Sequence, residues 1–119
     1  MSKILLAEDD EFIGRMIIMR LTLRGHEVVR VGNGKDAVAE ALSGNYDIVL
    51  MDMHMPVMDG HVATHTLREE GYKGLIIAVT ASVMSADSDK ALTSGCDKCI
   101  PKPISADFED QVETLIANT

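Results

Sequence analysis

Apolar and polar positions alternate along this chain in a rhythm that repeats five times, each beat cut by turn residues. Lys3–Ala7 is a near-continuous apolar run, after which acids open a longer amphipathic stretch over 10–24. Gly25 stands where a helix is expected to stop. Glu27–Val31 reads as a strand charged towards both ends, the mark of a sheet edge. Asn33 is placed to cap a helix over Gly34–Ser43 that Gly44 closes. The runs 48–51 and 75–79 are apolar without alternation, which predicts strands buried on both faces. Between them Asp59 caps a helix that runs to residue 70 and stops at Gly71. A helix with few large apolar residues follows over 84–94 and ends at Gly95. Residues 98–100 predict a short last strand and 105–117 a last helix, with Phe108, Val112, Leu115 and Ile116 on one face. Its acids Asp107, Glu109 and Asp110 fall in the first turn, where the helix dipole favours them.

Five strand–helix units with strands this apolar predict an α/β fold: a parallel sheet with helices on both faces, doubly wound. No linker, low-complexity segment or longer repeat interrupts the rhythm, so residues 1–119 are expected to form one domain. The short first loop favours the flavodoxin-like strand order 2-1-3-4-5, whose crevice lies at the carboxyl ends of strands 1 and 3. Composition narrows the function. Hydrophobic residues make up 46% and charged residues 25%, an ordinary balance for a folded domain. Eleven Lys and Arg against nineteen Asp and Glu give −8, a field that repels a phosphate backbone and argues against nucleic-acid binding by this chain. No apolar run approaches the ~20 residues of a membrane helix. The amino-terminal run meets acids at Glu8 before a signal-peptide core could form. With two cysteines expected to stay reduced, the expected location is the cytoplasm. Eight methionines, two Phe, two Tyr and no Trp make a soft, ring-poor chain.

The carboxyl ends of the predicted strands gather charge. Strand 1 runs into Glu8-Asp9-Asp10-Glu11, strand 3 ends in Asp52, strand 4 in Thr80, and strand 5 leads to Lys102. Carboxylates converging on one edge repel one another unless a cation lies among them, and an all-oxygen set suits Mg²⁺. Flavin or dinucleotide phosphates need glycines and free amides there, and this loop offers acids. An aspartate at the mouth of such a site can attack phosphorus. The transferred group then needs a cation on one side and donors on the other, for which Lys102 supplies a point charge and Thr80 a hydroxyl.

These residues resemble the response-regulator receiver domains of two-component signalling, the single-domain chemotaxis type included, from one end of the chain to the other. The likeness rests on Glu8-Asp9, on Asp52 within Asp52-Met-His-Met55-Pro56-Val-Met58-Asp59-Gly60, on Thr80 within Ala78-Val-Thr-Ala81-Ser82, and on Lys102-Pro103-Ile104. It implies that Asp52 takes a phosphoryl group from a histidine kinase or a histidine phosphotransfer protein. It further implies that Asp9, Asp52 and the backbone carbonyl of His54 ligate Mg²⁺, with Glu8 acting through water, and that Thr80 and Lys102 bind the phosphoryl oxygens. It implies a cis Lys102–Pro103 bond. The His54 and Ser82 side chains would border the path of the hydrolytic water. Phosphorylation would draw Thr80 inward past the small Ala81 and bias the face formed by the fourth helix, fifth strand and fifth helix, where a downstream protein binds. On this reading the chain is no enzyme beyond its own phosphorylation and autodephosphorylation.

Several residues depart from that pattern or stand outside it. The family's usual aromatic, three positions before the lysine, is here Cys99, so signalling is expected to run through the loop after Thr80 and the thin fourth helix. Cys96-Asp-Lys-Cys99 follows a helix stop and enters a strand, the reverse of a redox motif, and no second pair exists for zinc; buried thiols are expected. His61 and His65, four apart on the third helix, lack a third ligand and are expected to face solvent. Asp10 is read as a loop acid or cap. Met51, Met53, Met55 and Met58 surround the central loop. The first helix has more apolar residues than one core face uses, which leaves Phe12 and Met19 for a docking patch. Two alternatives frame the reading. A haloacid-dehalogenase-type phosphatase would carry Asp-x-Asp after strand 1, whereas here the nucleophile candidate follows strand 3 and residue 54 is His. A receiver that only scaffolds would not keep Glu8, Asp9, Asp52, Thr80 and Lys102 together.

Overall fold

The computed structural model describes residues 2–80 and 86–118, with side chains described over 2–80 and 89–118. Its elements are β1 (Lys3–Ala7), α1 (Glu11–Leu23), β2 (Glu27–Val31), α2 (Gly34–Ser43), β3 (Ile48–Asp52), α3 (Gly60–Glu69), β4 (Ile76–Thr80), α4 (Ala86–Ser94), β5 (Lys98–Pro101) and α5 (Phe108–Ala117). All strand pairs are parallel, in the order β2-β1-β3-β4-β5. This is the expected doubly wound sheet, with β2 and β5 as its edges. The last helix begins three residues later than the acids of its first turn suggested, because Ser105 and Asp107 bond each other and hold that segment as a turn.

The strand residues sort by twos, as a pleated sheet demands. Leu5, Ala7, Val49, Met51, Ile76 and Ala78 face one side and pack against α2, α3 and α4 through Ala37, Ala41, Ala63, Leu67 and Ala91. Ile4, Leu6, Ile48, Leu50, Ile77 and Val79 face the other, against Ile17 and Leu21 of α1 and Phe108 and Val112 of α5. Small alanines let the three helices of the first layer lie close to the sheet. The second layer takes large side chains, including the one fully buried ring among the described residues, Phe108. Both central strands β3 and β4 are buried along their whole length, as their unbroken apolar runs foretold.

Local chemistry sets the helix ends. Asp10, Asn33 and Asp59 each accept a hydrogen bond from the backbone N–H three residues on, at 3.0, 2.8 and 2.9 Å. Gly25, Gly71 and Gly95 follow α1, α3 and α4 with φ of 88°, 85° and 120°, the left-handed region that closes a helix without strain in glycine. Gly60 serves a different purpose: a Cβ there would strike the Asp52 carbonyl oxygen, so its absence lets α3 start directly behind the end of β3. Met51 and Met53 are buried beneath the intervening turn, and Met55 and Met58 pack half-buried against the same core. Val57 lies in that turn at φ 68°, a strained value for a β-branched residue.

Tyr46 and Tyr72 stand at the other end of the sheet, just ahead of β3 and β4. The Lys3 ammonium lies 4.9 Å from the Tyr46 ring centre and the Arg68 guanidinium 5.9 Å from that of Tyr72. No helix among the described residues is long and apolar enough to cross a membrane.

Candidate functional site

The sheet order places the ends of β1 and β3 side by side, with β4 and β5 following, so four segments deliver side chains to one edge. Glu8 and Asp9 leave β1, Asp52 ends β3, Thr80 ends β4, and Lys102 follows β5, where its N–H donates to the Thr80 carbonyl at 2.8 Å. Glu8, Asp9 and Asp52 each offer a carboxylate oxygen, and these lie within 4.8 Å of one another. Glu8, Asp52 and Thr80 are buried, while Asp9 is exposed.

Among the ion pairs of the described residues, Lys102 is the cation that meets these acids. The Lys102 ammonium lies 2.8 Å from Glu8 Oε1 and 3.3 Å from Asp52 Oδ2. The other oxygens take backbone donors: Asp10 N–H reaches Glu8 Oε2 at 3.3 Å, and His54 N–H reaches Asp52 Oδ1 at 3.2 Å. Three carboxylates thus meet one paired ammonium among the described residues, and they offer hard oxygen donors in a partly buried cleft. That donor set fits a divalent cation of the Mg²⁺ kind. The Lys102–Pro103 bond is cis, as the resemblance implied.

The charges press on one another. Burial, together with the Asp52 carboxylate, outweighs the Lys102 bond and pushes the Glu8 carboxyl above its usual range. Burial pulls the Lys102 ammonium down, but the Glu8 bond and the fields of Asp52 and Glu8 outweigh it and hold it above its ordinary value. A carboxyl whose folded value is raised contributes stability below its unfolded value and loses that contribution as pH climbs through the folded one. Glu8→Gln, which cannot ionise, is therefore expected to gain stability relative to the parent chain as pH rises from about 4 through the raised value of the Glu8 carboxyl. Urea melts in metal-free buffer check this. A stability difference that stays flat across that range contradicts it.

The remaining candidates fall out as follows. Asp10 is the α1 cap. His65 is exposed beside Glu69, but His61 is buried at 6% exposure, so the expectation that both face solvent fails for it. The turn over 53–60 folds back on α3 and brings the His54 ring edge-on to His61 with centres 6.5 Å apart, a contact that helical spacing alone does not reveal. Cys96 is buried and Cys99 half-buried. Burial pushes Cys96 up to about 11, so it is an inert core residue. Cys99 is half-buried and lines a groove of about 360 Å³ between β5 and α5, with Lys98, Asp107, Asp110 and Gln111. Ala81, Ser82 and the predicted start of the fourth helix at residue 84 lie outside the described residues. On α1, Phe12, Met19 and Leu23 are 80%, 58% and 81% exposed; Leu23 joins the two outer residues read from the sequence.

Sequence reasoning missed Arg30. Its Nε donates to the Glu8 carbonyl at 2.9 Å and its Nη2 to the Asp9 carbonyl at 3.3 Å. The available signal was the parallel register of β1 and β2, which sets residue 30 beside Leu6 just below the acidic loop.

The sequence profile of the response regulator receiver domain family matches residues 4–113. The chain is 33% identical over 114 residues to the sensor histidine kinase RcsC of Escherichia coli (strain K12), covering 96% of this chain and 12% of the kinase. It is 32% identical over 119 residues to the transcriptional regulatory protein PcoR of Escherichia coli, covering 98% of this chain and 52% of that protein. The chain thus spans about half or less of these curated relatives. Among solved structures, the receiver domain of a Pseudomonas aeruginosa PAO1 sensor histidine kinase, with a magnesium ion coordinated in its active site cleft, superposes with a TM-score of 0.86. The two are 32% identical, and the match covers 98% of this chain and 95% of that one.

Proposed function

The chain belongs to the response regulator receiver family of two-component signalling, and from that premise we propose that Asp52 is its phosphoacceptor and that Glu8, Asp9, Thr80 and Lys102 complete the site. The observation that carries the reading is the Lys102 ammonium set between Glu8 and Asp52, inside three carboxylates that converge within 4.8 Å.

A carboxylate oxygen of Asp52 attacks the phosphorus of a phosphohistidine on a sensor kinase or histidine phosphotransfer protein. The O–P bond forms as the P–N bond breaks, and the imidazole leaves with the electron pair. Asp9, Asp52 and the backbone carbonyl of His54 would hold Mg²⁺, with Glu8 acting through water; when bound, the ion neutralises charge on the phosphoryl oxygens. Lys102 already lies within reach of Asp52, so it can shift from Glu8 to a phosphoryl oxygen without leaving the cleft. The Thr80 hydroxyl ends the neighbouring strand and donates from the other side. Burial of Asp52 and Thr80 keeps the new aspartyl phosphate away from bulk water, and the His54 side chain at the rim borders the route by which water returns to hydrolyse it.

The exposed stripe of α1 is read as the docking face for the phosphodonor protein. The α4, β5 and α5 face, with the groove beside Cys99, is read as the side that meets a downstream protein. Where the family keeps a ring, a thiol cannot swing between two burial states, so the change at Thr80 passes chiefly through the loop that follows it. The two cysteines, read as reduced, fit a cytoplasmic setting.

Incubation with a small-molecule phosphodonor and Mg²⁺ is expected to add one phosphoryl group to the intact chain by mass spectrometry, and chelation of the metal to abolish the gain. Uptake that is indifferent to chelation, or no uptake at all, refutes the reading.

A further inference from the structure

Arg30 lies on the edge strand β2, half-buried, paired in register with Leu6 of β1. Its guanidinium crosses the end of β1 and forks onto two successive carbonyls, those of Glu8 at 2.9 Å and Asp9 at 3.3 Å. Space for that crossing exists because α1 carries Gly14 there. A Cβ at Gly14 would come within 2.6 Å of Arg30 Nε and 2.8 Å of its Cδ. The two carbonyls belong to the acids whose side chains, with that of Asp52, form the carboxylate cluster.

We propose that Arg30 is a positioning residue for the cation site: by fixing the backbone of Glu8 and Asp9 it sets the direction in which their carboxylates enter the cleft, and so raises affinity for Mg²⁺. This rests on reading the cluster as a Mg²⁺ site. The sign of the effect separates positioning from simple electrostatics. A fixed positive charge beside a cation site repels the cation, so removing it should tighten binding if charge alone mattered. Removal weakens binding if the forked hydrogen bonds matter more, as they do for groups that orient metal ligands. Among the described residues the guanidinium adds to the Glu8 N–H bond to Val31, the Asp10 N–H bond to Glu8 Oε2 and the Asp10 cap, and it engages both carbonyls at once.

Calorimetric titration of Mg²⁺ tests it on the parent chain and on Arg30→Met, Arg30→Lys and Gly14→Ala. Arg30→Met is expected to weaken Mg²⁺ binding about tenfold. Arg30→Lys, which keeps the charge but replaces a planar fork with a point donor, should recover only part of that loss. Gly14→Ala retains Arg30 and its charge, and alanine favours the helix, yet it displaces the guanidinium; it should weaken Mg²⁺ binding while its melting temperature is kept or raised. Unchanged or tighter Mg²⁺ binding in Arg30→Met, or an unaffected Gly14→Ala, overturns the proposal while leaving the metal site intact. Absence of saturable binding in the parent chain instead overturns the metal reading beneath it. If Arg30→Met does not fold, Gly14→Ala decides alone.

Discussion

Asp52→Asn is expected to take up no phosphoryl group under conditions where the parent chain takes up one. The amide matches the carboxylate in size and can still accept from the His54 N–H, so the 3.2 Å contact and the end of β3 survive. What it loses is the anionic, nucleophilic oxygen that attacks phosphorus. No neighbouring acid is placed to substitute. Glu8 is buried and its carboxylate is bonded to Lys102. Asp9 is exposed and has no ammonium against it among the ion pairs of the described residues. Removing one of three mutually repelling carboxylates should also leave the fold at least as stable, so a circular dichroism melt separates lost chemistry from lost structure. Intact mass after acid quench is the direct readout. Persistent phosphorylation of Asp52→Asn would move the nucleophile to another residue and undo the assignment.

Phe108→Ala is expected to cost about 3–5 kcal/mol of folding stability, a large part of the margin of a domain this size. The ring is fully buried at the start of α5 among Ile4, Leu6, Ile17, Leu21 and Ile100. The Arg20 guanidinium lies 5.7 Å from the ring centre. Arg20 also donates to the Ser105 carbonyl at 2.7 Å and pairs with Glu109, so the cover above the ring is pinned and cannot collapse into the space it leaves. Both the transfer of the ring and the residual cavity then count against the variant. Urea unfolding should show a lower midpoint at an unchanged slope. A loss below about 1 kcal/mol would mean that α5 repacks freely, contrary to the pinned geometry.

The two variants also mark where the sequence speaks clearly and where it does not. Strands β3 and β4 were legible because a run of apolar residues with no alternation has one stable setting, the middle of a covered sheet. The caps at Asp10, Asn33 and Asp59 and the helix-ending glycines are local chemistry, readable within four residues. The meeting of Glu8, Asp9 and Asp52 was legible for a related reason: in a parallel sheet of this order every strand ends at the same edge, so acids after strands 1 and 3 must meet. Contacts between distant segments were not legible. His61 appears as an exposed helical residue until the turn over 53–60 folds back and covers it. Arg30 reads as an ordinary edge-strand charge until the register sets it below the acidic loop and Gly14 clears its path. Each depends on the path of a side chain across another element, which neither periodicity nor propensity encodes.

The placement of the four rings has an optical consequence. With no Trp in the chain, near-ultraviolet emission comes from Tyr46 and Tyr72, and both stand at the amino ends of the strands, across the sheet from Asp52. Phe108 is buried in the opposite layer and Phe12 projects into solvent. Events at the acidic edge therefore take place in a part of the molecule that is spectroscopically dark. One tryptophan placed at Met55, in the turn beside Asp52, would be the sole indole present, and its emission would belong to that edge alone.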